Sequence, residues 1–272
     1  MTTFGDDKDA VVIKSDGEYT YLAPDAAYHQ DKFERGFVKA IDLLGPDHQG
    51  HAAHLQNFVR ALGLDDDWLE ISSIQQVNLI DQDGNRIDVS KRRGQFLTLD
   101  SLIDELAGIV DERFAVDVAR YFFLMRSNSS HLDFDLKLAI TQANANPVFY
   151  VQYAHARCCS IFREMKKQGI AQSPIDVVDF ACLKESEALQ LIQHLSEFPE
   201  IVLSSAEKRA PHQLTHYLYE LSALFHAFYK QYRVIDPTEL NVTEARLVLV
   251  SSVHTVLSNG LTLLGISAPD SM

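Results

Sequence analysis

From about residue 111 onward, apolar residues recur at helical spacing in five successive segments, roughly 114–126, 135–167, 183–198, 211–232 and 243–264. Short polar or proline-bearing links such as "QGIAQSPID" and "VIDPTELN" separate them. Amphipathic helices joined this closely must bury their apolar stripes against one another, so residues 111–272 are expected to form an all-α helical bundle. Thr243 is the expected cap of the last segment, and Gly265 its closing residue.

Residues 1–110 read differently. "AVVIKSDGEYTYL" predicts two short strands around an Asp16-Gly17 turn. A helix follows, with Tyr28, Phe33 and Phe37 as candidates for its buried face. "AIDLL", closed by Gly45-Pro46, reads as a strand, and "AAHLQNFVRALG" as an amphipathic helix ended by Gly63. "ISSIQQVNLI" reads as another strand, then a turn at "DQDGNR". Thr98 or Asp100 is expected to cap the next helix. The expected architecture is an α/β region over 1–110 followed by the bundle over 111–272.

Formal net charge is −14, which disfavours non-specific coating by nucleic acid, because that affinity comes from neutralised phosphates. Cys158, Cys159 and Cys182 form no C-x-x-C pair. Buried free thiols in a cytoplasmic protein fit better than a disulfide framework, and no structural metal is expected. No stretch approaches the roughly 20 apolar residues of a membrane span, and "MTTFGDDKDA" does not read as a secretory leader.

Against this acidic background stands Ser90-Lys91-Arg92-Arg93-Gly94. Adjacent cations repel, and a bound polyanion would offset that repulsion; a solvated basic turn is the plain alternative. His48, His51 and His54 fall three apart, which drifts around a helix and suits a metal poorly. The Gly45-Pro46-Asp47-His48 turn after a strand is where open α/β sheets bind nucleotides, although Asp47 could simply cap a helix. Tyr21 and Asp25 could line a pocket for a cationic substrate, or Asp25 could be a cap. "NANPVFYVQYAHAR" gathers Phe149, Tyr150, Tyr153, His155 and Arg157, some of them core and others free to stack on unpaired bases.

"DGEYTYLAPDAAYHQDKFERG", "VSKRRGQFLTLDSLIDEL", "DVARYFFLMRSNSSHLDFDLKLA", "NPVFYVQYAHAR" and "VLSNGLTLLGISAPDSM" together resemble the carboxyl-terminal half of class I arginyl-tRNA synthetases. The resemblance implies the end of a Rossmann catalytic domain, a signature loop and a helical anticodon-binding domain. It places Asp88-Val89-Ser90-Lys91-Arg92 on the family's Lys-Met-Ser-Lys loop, giving Ser90, Lys91 and Arg92 catalytic roles. Tyr21 and Asp25 would hold arginine. Gly45, Asp47, His48 and Lys91 would meet ATP, with Mg2+ as its companion. Asp117, Ala119, Arg120 and Tyr121 match the Asp-Ala-Leu-Arg motif, expected to act in packing. Asn146, Tyr150, Gln152, Tyr153 and Arg157 would face an arginine-specific tRNA.

Asp88 stands in place of the loop's first lysine, Val89 in place of methionine, and Leu44 where many relatives have tryptophan. The family's amino-terminal half, with its His-x-Gly-His motif, has no match here. His48-Gln49-Gly50-His51 spells that motif, but only about 40 residues separate it from Ser90, too few for the crossovers of two sheet halves. The resemblance therefore implies part of an arginine–tRNA ligase that is inactive alone. The alternative is a stand-alone or repurposed tRNA-binding relative. An incomplete sheet would leave an apolar face, so an oligomer or a partner chain is expected over residues 10–80.

Overall fold

The computed structural model describes residues 2–5, 8–87, 98–171 and 173–272. Its chain divides into two compact units. One comprises Met1–Val77 with Asn128–Leu132, the other Asn78–Ser127 with Asp133–Met272.

In the first unit, α1 (Leu22–Glu34), β1 (Ala40–Leu44), α2 (Gln49–Ala61) and β2 (Leu69–Ser73) follow in order. The strands pair in parallel, from Ala40 opposite Leu69 to Leu44 opposite Ser73, as a strand–helix–strand crossover allows. Ala40, Leu55, Val59, Leu64, Trp68 and Leu69 make the core. Gly63 has φ +79°, the left-handed conformation that ends α2 where the sequence predicts. Asp16-Gly17 does turn the chain, with Lys14 N donating to Glu18 O at 2.8 Å, but the flanking residues make only an isolated Ile13–Tyr19 bridge.

Helix α1 corrects the expected buried face. Tyr28, Phe33 and Phe37 are exposed, and Ala26 and His29 are buried instead. His29 Nε2 donates to Asp42 on β1 at 2.9 Å, and Lys32 Nζ approaches the same carboxylate at 3.3 Å. A small residue and a paired imidazole thus do the docking that the aromatics were expected to do.

The anticipated strand over 71–80 is two strands, β2 and β3 (Val77–Ile80). In the second unit, α3 (Leu99–Ala107) opens with a capping box between Thr98 and Ser101. Then come α4 (Glu112–Leu124), β4 (Leu132–Asp135), α5 (Leu136–Ala139), α6 (Pro147–Lys167), α7 (Ser186–Ser196), α8 (Phe198–Glu207), α9 (Pro211–Gln231) and α10 (Leu240–Leu263). Strand β4 pairs with β3. Phe122, Phe134, Leu191, Leu221, Phe225 and Leu257 are among the fully buried side chains of one continuous core. Gly260 lets α9 and α10 approach: a Cβ there would lie 2.5 Å from Leu218 Cδ2. Gly265, at φ +68°, closes α10 as expected. Thr243 does not cap that helix, whose first residue is Leu240. It lies buried inside the first turn and donates to Asp236 O at 2.9 Å.

Candidate functional site

Each unit presents its own concavity. In the first, a cavity of about 1210 Å³ is lined by Asp9, Val11, Tyr21, Asp25, Leu44 and His48 among others. Tyr21, Asp25 and His48, singled out by sequence, therefore share one hollow. Tyr21 is 92 % exposed and immediately precedes α1, while Asp25 sits within its first turn and caps nothing. The carboxylate is thus free to meet a cation, the chemistry a guanidinium asks of it. Gly45 and the exposed Asp47 occupy the short turn between β1 and α2, Asp47 again without a capping bond. Ser90, Lys91 and Arg92 lie outside the described residues.

In the second unit, α6 and α9 carry a surface of aromatic rings. Tyr150 packs against Tyr219 with ring centres 5.0 Å apart and against His226 at 4.7 Å; Phe149 stacks on Tyr153 at 6.0 Å. The Arg157 guanidinium stands 4.6 Å from the ring centres of both Tyr153 and Tyr229, and donates to the Tyr153 hydroxyl. That arrangement holds a cation flat against π faces, leaving its outer edge for anions or bases. Burial, then the nearby Arg157 charge, pulls the His226 imidazole down to about 4, so it is neutral at pH 7. Its Nε2 is buried without a protein partner among the described residues.

Two of the anticipated RNA-facing residues work from beneath. Asn146 is fully buried at the start of α6, accepting from Val148 N at 3.0 Å and donating to Ala139 O at 3.0 Å. Gln152 is buried too. Its amide donates to Asp117 Oδ2 at 2.8 Å and Ser267 O at 2.9 Å, while its Oε1 has no protein partner among the described residues. Asp117 also accepts from Ser267 N at 2.9 Å, and Tyr121 donates to Thr215 O at 3.0 Å. The Asp-Val-Ala-Arg-Tyr motif therefore fastens α4 to the carboxyl-terminal segment and to α9. Beside it lies a cavity of about 440 Å³ lined by Arg113, Phe149, Gln152, Pro269 and Met272 among others. Sequence reasoning missed Tyr219, His226 and Tyr229, whose spacing of seven and three puts them along one face of α9.

A parallel strand–helix–strand unit and a helical bundle with an aromatic, arginine-bearing face define the class: an α/β segment followed in the chain by an all-α module. Residues 151–272 match the family model "DALR anticodon binding domain". The arginine–tRNA ligase of Symbiobacterium thermophilum is 47% identical over 271 residues, spanning 100% of this chain and 47% of the relative. That of Desulforamulus reducens is 48% identical over 271 residues, with 100% and 46% covered. An arginyl-tRNA synthetase structure from Campylobacter jejuni superposes with TM-score 0.85 at 31% identity, covering 100% of this chain and 56% of that one. The Thermus thermophilus arginyl-tRNA synthetase shares the fold, with TM-score 0.76 at 23% identity over 97% of this chain and 51% of that one. The chain belongs to the arginyl-tRNA synthetase family and corresponds to its carboxyl-terminal part. It spans about half the length of the curated relatives it matches. Its fold is the corresponding Rossmann-type α/β portion and an all-α anticodon-binding bundle.

Proposed function

We propose that this chain supplies the tRNA-reading unit and one wall of the active site of an arginine–tRNA ligase. In that reaction the arginine carboxylate attacks the α-phosphate of ATP, releasing pyrophosphate. A ribose hydroxyl at the tRNA terminus then attacks the arginyl carbonyl and expels AMP. Asp25 and Tyr21 would hold the arginine side chain, and Gly45, Asp47 and His48 would meet the nucleoside. Ser90, Lys91 and Arg92 would close on the Mg2+-bound phosphates, stabilising charge as it develops. Tyr150, Tyr153 and Arg157 would stack on anticodon-loop bases, held in place by Asn146 and Gln152. The remaining wall of the site would come from the amino-terminal half of the family, docked over residues 10–80, in the cytoplasm.

One observation carries this reading: Arg157 lies sandwiched between Tyr153 and Tyr229 on a helix that, like the rest of the chain, follows the synthetases. Asp88, a carboxylate where the loop should meet phosphate, favours the second reading, a tRNA-binding relative without catalysis. Two measurements separate them. Arginine tRNA should bind at least about tenfold more tightly than a transcript with an abasic anticodon position, as the loss of one stacked base implies; equal affinity would remove the anticodon-reading role. Arginine-dependent ATP–pyrophosphate exchange should be absent from this chain alone and appear when the family's amino-terminal half is added. Tight tRNA binding without exchange in the mixture would favour the non-catalytic relative.

A further inference from the structure

His155 and Cys159 are four residues apart on α6, so they leave the same face one turn apart. His254 meets them from α10. One ring nitrogen of each histidine and the Cys159 sulfur all lie within 4.8 Å of one another. Donors around a tetrahedral zinc ion, each about 2.0–2.3 Å from the metal, stand roughly 3.5 Å apart. Coordination would draw the three to that spacing and turn the stacked imidazoles so that their in-plane lone pairs converge.

A fourth donor is at hand. Cys159 Sγ donates to Asp270 Oδ1 at 3.6 Å, and Arg163 holds the Asp270 carbonyl at 2.9 Å. The Pro269 carbonyl lies 3.0 Å from His155 Nδ1. A carbonyl only accepts, so that nitrogen carries the proton and the other keeps its lone pair. A backbone carbonyl fixing the tautomer is the usual support of a metal-binding imidazole. The Cys159 sulfur stands 3.9 Å from the same, protonated Nδ1, so the ring would turn to present Nε2 to the metal.

A plain aromatic contact accounts for part of this. The two imidazoles stack with ring centres 4.4 Å apart, and Phe162 meets His254 edge-on at 5.5 Å. It does not account for the thiol that sits among these rings, with the Asp270 carboxylate beside the thiol. The donor set, two imidazoles with a thiolate and a carboxylate, suits a borderline-soft divalent ion rather than Mg2+.

We propose that His155, Cys159, His254 and Asp270 bind one zinc ion, which clamps the carboxyl-terminal segment onto α6 and α10. Binding replaces the Cys159 S–H bond with an S–Zn bond and releases that proton to solvent. The site is independent of the synthetase reading and uses none of its residues.

Cobalt titration of the chelator-stripped full chain tests this directly. One equivalent of Co2+ should give a thiolate-to-cobalt charge-transfer band with tetrahedral d–d absorption, and one equivalent of Zn2+ should bleach both. Cys159→Ser should abolish the charge-transfer band. His254→Gln and Asp270→Asn should each weaken binding by more than about tenfold, the effect expected of losing a coordinating or supporting group. Cys182→Ser should change nothing. Absence of the band in the wild-type chain, or its survival in Cys159→Ser, overturns the proposal. Should a variant fail to fold, the wild-type spectrum and its bleaching by Zn2+ decide alone.

Discussion

The two units handle apolar surface in opposite ways. The helical unit closes its core: Phe122, Phe225, Leu221 and Leu257 are all essentially inaccessible. Among the described residues, the α/β unit rests on six core residues and leaves Val11, Tyr28, Val38, Ile41 and Leu43 exposed. Its strand β1 has a paired neighbour on one side, β2. Exposed apolar side chains in this number are what an interaction surface would require, whereas a closed core marks a unit that folds on its own terms. The helical unit is therefore expected to be the more stable of the two, and hydrogen exchange should show its helices opening last.

The largest effect should follow from breaking the closed core. Phe225→Ala leaves a void in a fully buried site and should cost about 3–5 kcal/mol in the helical unit's urea unfolding. A loss below about 1 kcal/mol would mean that the unit is loosely packed and the contrast false. Gly260→Ala should cost about 1–3 kcal/mol, because the added methyl overlaps the Leu218 side chain. A neutral result would mean that α9 and α10 can separate freely.

The pH response should then divide the units by sign. His29 is raised, chiefly by its hydrogen bond to Asp42, and Asp42 is lowered by the same bond. A raised histidine stabilises below its unfolded value, near 6.5, and loses that contribution as pH rises through its folded value. A lowered aspartate stabilises above its unfolded value, near 3.9, and loses it as pH falls through its folded value. The pair thus supports the α/β unit most between about pH 4 and 6.5. His226, lowered to about 4, does the reverse: the helical unit is fully supported above about 6.5 and loses stability as pH falls toward 4. Urea midpoints of the two units, followed by exchange at pH 5.5 and 8, should move in opposite directions. Asp42→Asn should flatten the first and His226→Phe the second; parallel shifts would show that other groups dominate.

What the sequence disclosed follows the same division. The bundle was legible because helices that bury one face must repeat apolar residues at 3.6, and because Thr98 and Gly265 act locally, as Gly63 does in the α/β unit. Helix α8 was not, since Pro199 reads as a break in a sequence but sits in the first turn of a new helix, where its missing N–H costs nothing. Strand β4 hid for want of length, its Leu132 and Phe134 buried in alternation over only four residues. Tyr28, Phe33 and Phe37 misled because apolar residues that stay exposed can carry the same spacing as a core face. Among site residues, Tyr21, Asp25 and His48 line one hollow, whereas Tyr219, His226 and Tyr229 were invisible. They lie far along the chain from α6 and meet it only through packing.

That ambiguity of apolar faces sets up the smallest expected effect. Val38 is 92 % exposed and Leu43 63 %. Replacing each by Ser removes apolar surface that this unit does not bury, so each should change the α/β unit's stability by no more than about 0.5 kcal/mol. A buried valine or leucine would forfeit about 1.5–3 kcal/mol of transfer energy instead. The same variants should lower self-association of the isolated chain in sedimentation, because the apolar patch is what recruits a covering surface. A loss above about 1 kcal/mol would place Val38 or Leu43 in a core of the unit itself. It would make the α/β unit as self-contained as the bundle, and remove the reason to expect a covering partner over residues 10–80.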